Sequence, residues 1–165
     1  TDPDPWSLRL RVPEWATSAR LSDRGEGRRV GPGMAVVERT FTVGDTIELE
    51  LPMDPRWVAP DPRIDAIRGT IAVELGPLVL CVESVDLPGD ADVDTVRIDP
   101  DCDLTESDGK VTAGGRLMTF DDPPWPYPET TGAAADGDEV SLPLVPYHDW
   151  AKRGPSTMRV WVPTV

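Results

Sequence analysis

The sequence is short of the residues that announce chemistry or a nucleic-acid surface. It holds one histidine and two cysteines, and only Lys110 and Lys152 are lysines among 16 bases. Thirty acids oppose those bases, and the net charge of −14 argues against nucleic acid as a partner, since phosphate binding needs clustered cations. Apolar runs are short, none near the roughly 18 residues that span a membrane as a helix. Nowhere does a 3.6-residue apolar period persist for three turns, so little helix is expected. There is no initiator Met, Thr1 standing first, so the natural N-terminus is expected to be missing along with any leader it carried.

What is present is proline, glycine and tryptophan. Nineteen prolines and 14 glycines fall mostly between apolar stretches, the distribution of short strands joined by rigid turns. Ser7–Val12 alternates, Leu8, Leu10 and Val12 facing one way and Ser7, Arg9 and Arg11 the other. Thr46–Leu51 repeats the pattern after a strand over Met34–Phe41, with Val43-Gly44-Asp45 predicted as the turn between them. Thr70–Leu75 and Leu78–Glu83 are more continuously apolar and predict central strands, with Gly76-Pro77 either turning or kinking them. Asp86–Asp94 is acidic, contains Pro-Gly and lacks a period, so it is expected to be a linker. Weaker strands follow at 95–98, 110–113, 117–120, 140–147 and 157–162. The expected class is all-β: two small antiparallel sandwich-like domains, 1–86 and 96–165, joined by the linker 87–95.

Four stretches carry a resemblance. Leu8-Arg-Leu-Arg-Val-Pro-Glu-Trp-Ala16, Thr42-Val-Gly-Asp-Thr-Ile-Glu-Leu-Glu-Leu-Pro-Met53 and Gly69-Thr-Ile-Ala-Val-Glu-Leu-Gly-Pro-Leu-Val-Leu-Cys-Val-Glu83 occur in order. The fourth, Leu144-Val-Pro-Tyr-His-Asp-Trp-Ala-Lys-Arg-Gly-Pro-Ser-Thr-Met-Arg-Val-Trp-Val-Pro163, is the most specific. Together they resemble the β-rich C-terminal region of glycoside hydrolase family 127, the β-L-arabinofuranosidase family; Lys152 stands where that pattern usually has Asn. The resemblance implies an α-helical catalytic barrel outside this sequence, using a zinc-held cysteine nucleophile with further cysteines and a glutamate. Neither Cys81 nor Cys102 lies in a matching cysteine-pair motif, so no catalytic residue and no metal ligand is assigned here. The expected function is a non-catalytic accessory region that supports the barrel; the alternative is a carbohydrate-binding module that presents sugar to it. Expected partners are the barrel of the same parent chain, a second copy through an exposed docking patch, and an arabinose-containing glycan. Nucleic acid and membrane are not expected, and a soluble chain is, with the cytoplasm slightly favoured.

The residues allow several local readings. A glycosidase needs two placed carboxyl groups or an equivalent nucleophile and acid, but thirty acids make chance pairs inevitable. Cys81 lies in an apolar run and reads as a buried, inert thiol, Cys102 lies in an acidic loop, and a disulfide between them stays open. Asp99, Asp101 and Asp103 have the start of a calcium-loop spacing, but Leu104 and Lys110 stand where that loop needs Gly and Glu. His148, Trp150 and Arg153 read as a structural turn, Arg153 being suited to fork onto a buried carboxylate. Trp125 and Tyr127, in a loop carrying four prolines, are the candidate sugar-stacking pair, since a stiff loop displays rings at low entropic cost. Trp6, Trp15 and Trp57 read as packing residues. The two functional readings differ in what they would show. A binding module exposes near-coplanar aromatics, whereas a buttress buries scattered Trp and keeps an apolar docking face.

Overall fold

The structure, a computed structural model, describes residues 4–119 and 135–165. Among these the chain is all-β, with 14 strands and no helix longer than a single three-residue 3₁₀ turn. It divides into two compact units, residues 1–54 and 55–165.

The first unit packs two small antiparallel sheets over one core. Strand β1 (Trp6–Val12) pairs with β4 (Gly33–Arg39), in register Leu8–Val37 and Leu10–Ala35. Strand β2 (Arg20–Asp23) is central to the other sheet, between β3 (Glu26–Arg29) and β5 (Ile47–Glu50). Alternation in β1 and β4 sends Val12, Ala35 and Val37 inward to meet Leu21 of β2, with Ile47 and Leu49 of β5 closing the cluster. The expected turn at 43–45 is present, Asp45 N donating to Thr42 O at 3.0 Å, but it does not close a hairpin. Strands β4 and β5 belong to different sheets, and the exposed loop between them passes from one sheet to the other. A hairpin at residues 20–29 supplies β5 with its partner instead; its outer strand β3 is fully exposed and has no apolar face to mark it in the sequence.

The second unit comprises β6 (Pro55–Val58), β7 (Thr70–Leu75), β8 (Leu78–Glu83), β9 (Val96–Ile98), β10 (Thr105–Ser107), β11 (Lys110–Thr119), β12 (Ala135–Pro146), β13 (Met158–Arg159) and β14 (Val162–Pro163). Gly76 and Pro77 form a tight turn rather than a kink: Leu75 pairs with Leu78, and Gly76 takes a φ of +54°, which glycine supplies without a Cβ clash. The ladder runs β11-β12-β8-β7-β14, and an Ile98–Thr164 bridge with a 3.1 Å bond from Val165 N to Ile98 O joins β14 to β9. Since β9 also pairs with β11, the strands close into a six-membered ring. The second unit is therefore closer to a small barrel than to the expected sandwich, and closure removes most open strand edges. Leu80, Val82, Val96, Ile98, Val111 and Leu142 fill its interior and are almost completely buried. Each contributes on the order of 1.5–3 kcal/mol by leaving water.

The domain boundary thus falls at Asp54/Pro55, not at 86/87. Strands β7 and β8 take their partners from β12, β13 and β14, so they cannot belong with the N-terminal sheets. The acidic stretch 86–94 is a connection inside the second unit, with a 3₁₀ turn at each end, and it buries Leu87 and Val93 in the core.

Candidate functional site

Strand β8 ends in a charge where its apolar run would otherwise continue. Glu83 has 0% of its surface exposed, the one buried charged residue among the described residues. Its carboxylate is fully partnered: Oε1 accepts from Ala151 N at 3.0 Å and from Ser156 Oγ at 2.5 Å, while Oε2 accepts from Arg153 Nη2 at 2.5 Å. Arg153 also forks onto Asp86, Nη1 to Oδ1 at 2.7 Å and Nη2 to Oδ2 at 2.6 Å. Burial pushes the Glu83 carboxyl toward its neutral form, but the bonds from Ser156, Arg153 and Ala151, with the Arg153 charge, outweigh it and hold its pKa below the usual value. The guanidinium of Arg153 is raised further above its already high value by Asp86 and Glu83.

This cluster fastens the loop between β12 and β13 to the end of β8. Ser84 N and Thr157 O pair at 2.9 Å, and Ser84 Oγ accepts from Thr157 N at 3.0 Å. Ala151 is held at a φ of +61°, a conformation that costs a non-glycine residue energy and that the Glu83 bond to its N–H helps to retain. On the outside of the same loop stand Tyr147 and Trp150, 49% and 39% exposed, with ring centres 6.5 Å apart and planes 24° from parallel. Trp150 Nε1 donates to Ser156 O at 3.2 Å. His148 Nε2 lies 3.5 Å from Asp149 Oδ1, and Lys152 bonds the same carboxylate, which lowers the Asp149 pKa. Trp125 and Tyr127 lie outside the described residues.

The first unit has a second ionic centre. Arg39 of β4 reaches Asp23 of β2 through Nε (3.0 Å) and Nη2 (2.9 Å), and Asp45 through Nη1 (2.5 Å), tying the two sheets together. The Arg39 bond, joined by a bond from Thr42 N, lowers the Asp45 pKa to about 2. The guanidinium carbon sits 4.0 Å over the Phe41 ring, and Trp6 packs against that ring at 4.3 Å.

Two open troughs lie on the second unit. One, of about 470 Å³, is lined by Asp99, Cys102, Thr105, Thr112 and Glu139 among others, and another, of about 380 Å³, by Arg97, Arg116, Met118 and Val165. Asp99 does not open a calcium loop: Oδ1 accepts from Asp101 N at 3.0 Å and Oδ2 from Cys102 Sγ at 3.2 Å. Both cysteines are free. Burial pushes the Cys81 thiol up to about 11, and the Asp99 carboxylate raises that of Cys102. Among the described residues no three of His, Cys, Asp and Glu are grouped to hold a metal. Among the described residues no helix is long and apolar enough to cross a membrane.

Residues 1–53 match the family model described as the middle domain of the β-L-arabinofuranosidases of glycoside hydrolase family 127, and residues 55–163 match the C-terminal domain of the same family. The chain belongs to glycoside hydrolase family 127. The two matches meet where the structure divides. A non-reducing end β-L-arabinofuranosidase from Bifidobacterium longum subsp. longum is 32% identical over 92% of this chain and 25% of its own length. Among solved structures, a glycoside hydrolase superposes with a TM-score of 0.82 at 28% identity, covering 99% of this chain and 28% of the other. A family 127 β-L-arabinofuranosidase from Geobacillus stearothermophilus T6 gives 0.79 at 25% identity, over 98% and 27%. The chain therefore spans about a quarter of the length of the relatives it matches.

Proposed function

We propose that residues 1–165 are the accessory β region of a glycoside hydrolase that removes β-L-arabinofuranosyl residues from non-reducing ends, and that they support its catalytic barrel. The observation that carries this reading is the division of labour in the match. A middle and a C-terminal domain account for nearly the whole chain, and relatives named for the hydrolysis are about four times as long. The internal chemistry is consistent with support. The buried carboxylate of Glu83 is used up on a backbone N–H, a serine and an arginine, and the Arg39 cluster bonds one sheet to the other. On the outer face of β4, Met34 and Val36 are exposed opposite Arg11 and Arg9, an apolar strip with charged neighbours that suits docking against another part of the parent. Nucleophile, acid and zinc are assigned to the barrel, and no step of the hydrolysis to this chain.

The test compares the full-length parent with a version lacking these residues, on an aryl β-L-arabinofuranoside. The shortened protein is expected to lose solubility or unfold at a lower temperature, with hydrolysis falling in step, and the isolated 165-residue chain to cleave nothing. Full activity with an unchanged unfolding midpoint after deletion, or turnover by the isolated chain, would overturn the reading.

A further inference from the structure

We propose that Tyr147 and Trp150 form a stacking platform for a neutral sugar ring of a glycan; the proposal rests on the reading of this region as part of a sugar-cleaving enzyme. Two exposed aromatics in an acidic protein are unremarkable singly, but this pair differs from the other exposed ring of the described residues. Trp6, 45% exposed, already has one ring partner in Phe41 at 4.3 Å, with Arg39 lying over that Phe41 ring at 4.0 Å. Tyr147 and Trp150 have their centres 6.5 Å apart with planes 24° from parallel, too separated to cover one another face to face, so both keep surface toward solvent.

The pair is also held in place. The Trp150 indole N–H is anchored on Ser156 O, the next residue donates its N–H to the buried Glu83, and Arg153 locks the following turn to Glu83 and Asp86. Rings displayed on a pinned loop lose little freedom on binding, which is the condition for useful affinity from a small contact. The rim decides the ligand. Sugar rings present C–H groups, whose positive partial charge suits the negative face of an aromatic ring, and hydroxyl groups at their edges. Asp149, Lys152 and His148 border the platform with partly exposed acceptors and donors for such hydroxyls. A purely apolar protein partner would leave those groups desolvated, and a net charge of −14 disfavours a uronic-acid polymer. Neither of the troughs described above is lined by the pair.

Titration calorimetry of the 165-residue chain with a linear neutral arabinotetraose tests this, with a galacturonic acid tetramer as the charged comparison. Saturable binding of the neutral sugar in the millimolar range is expected, weakened about tenfold by Tyr147→Ala and little changed by Trp6→Ala. Tyr147→Ala removes a surface ring and leaves the Glu83 cluster intact, and an unchanged unfolding midpoint certifies its fold. No saturation up to about 10 mM overturns the proposal. So does binding that Tyr147→Ala leaves untouched, including binding abolished only by Trp125→Ala. Hydrolysis by the full-length parent on an aryl glycoside is read separately: its absence would overturn the accessory-region reading, whereas lack of binding here would overturn the platform alone.

Discussion

Replacing Arg153 by alanine strands a carboxylate that has no route to water of its own. Glu83 is 0% exposed and keeps two partners, Ala151 N and Ser156 Oγ, but loses the only cation bonded to it. Breaking a fully buried ion pair from one side costs roughly 3–5 kcal/mol. Arg153 is itself 48% exposed, so water entering its vacated place offsets part of that, leaving about 2–3 kcal/mol. For a unit of this size that is a fall of about 10 °C in the unfolding midpoint. The pH dependence makes the attribution specific. In the wild type the folded Glu83 pKa lies below the unfolded one, so its stabilisation is present above the ordinary glutamate value, about 4.3, and is lost as pH falls through the folded value. Without Arg153, burial dominates and the folded pKa rises above the unfolded one; the variant is then relieved, not weakened, as Glu83 takes up a proton. Calorimetric unfolding at pH 7 and pH 4 should therefore show the gap between the two proteins narrowing on acidification. In a Glu83→Gln background, Arg153→Ala should cost much less than in the wild type. A gap below about 0.5 kcal/mol at pH 7, or one that stays constant to pH 4, would refute the reasoning.

Three other outcomes follow from the geometry. Gly115→Ala would place a Cβ 2.5 Å from both Arg97 O and Leu142 Cδ1, and because one obstacle is backbone of the paired strand, a loss of about 1–3 kcal/mol is expected by denaturant titration; a neutral result would mean that β9 is not seated as described. Asp45→Asn should remove the part of the first unit's stability that depends on this carboxylate. With a folded pKa of about 2, that contribution is present above the unfolded aspartate value, about 3.9, and fades as pH falls toward 2; indistinguishable acid-unfolding curves for wild type and variant would contradict it. A thiol reagent at pH 8 should modify only exposed Cys102 in the folded chain, slowly because its thiol pKa is raised, and should reach Cys81 only in denaturant; rapid modification of both in the native state would show that β8 is not buried.

The strands with an apolar signal of their own were legible: β1 and β5 lie where alternation puts them, β7 and β8 where continuous apolar runs do, and the start of β11 where a weaker strand is expected. Strands whose evidence is tertiary were not. Exposed β3, and β10 with its three polar residues, carry no apolar period of their own and exist because β2 and β11 offer them edges. Pro55 and Arg56 likewise hid β6, which is recruited by β7. The misplaced boundary has the same origin. Local composition marks 86–94 as a break, but hydrogen bonds from β8 to β12 and β13 join residues more than 60 positions apart, and no local signal reports them.

The loop between β12 and β13 shows where sequence reasoning stops one step short. Arg153 carries its own sign: a guanidinium in a Gly-Pro turn points to a carboxylate partner, but thirty acids give no means of choosing it. Glu83 has a signal that is easy to misread. At the end of Leu78-Val-Leu-Cys-Val82, an acidic residue looks like the point at which the strand leaves the core. The alternative is that the run does not end there and the charge is inside, which is affordable only if cations and N–H donors come to it from elsewhere. Here they come from one short segment, Ala151 to Ser156, so the acid and the loop that satisfies it are mutually required. That dependence is what turns a surface excursion between β12 and β13 into a rigid support for Tyr147 and Trp150. It also separates the two roles experimentally: changes beneath the loop should alter stability and blur binding, whereas Tyr147→Ala above it should alter binding alone.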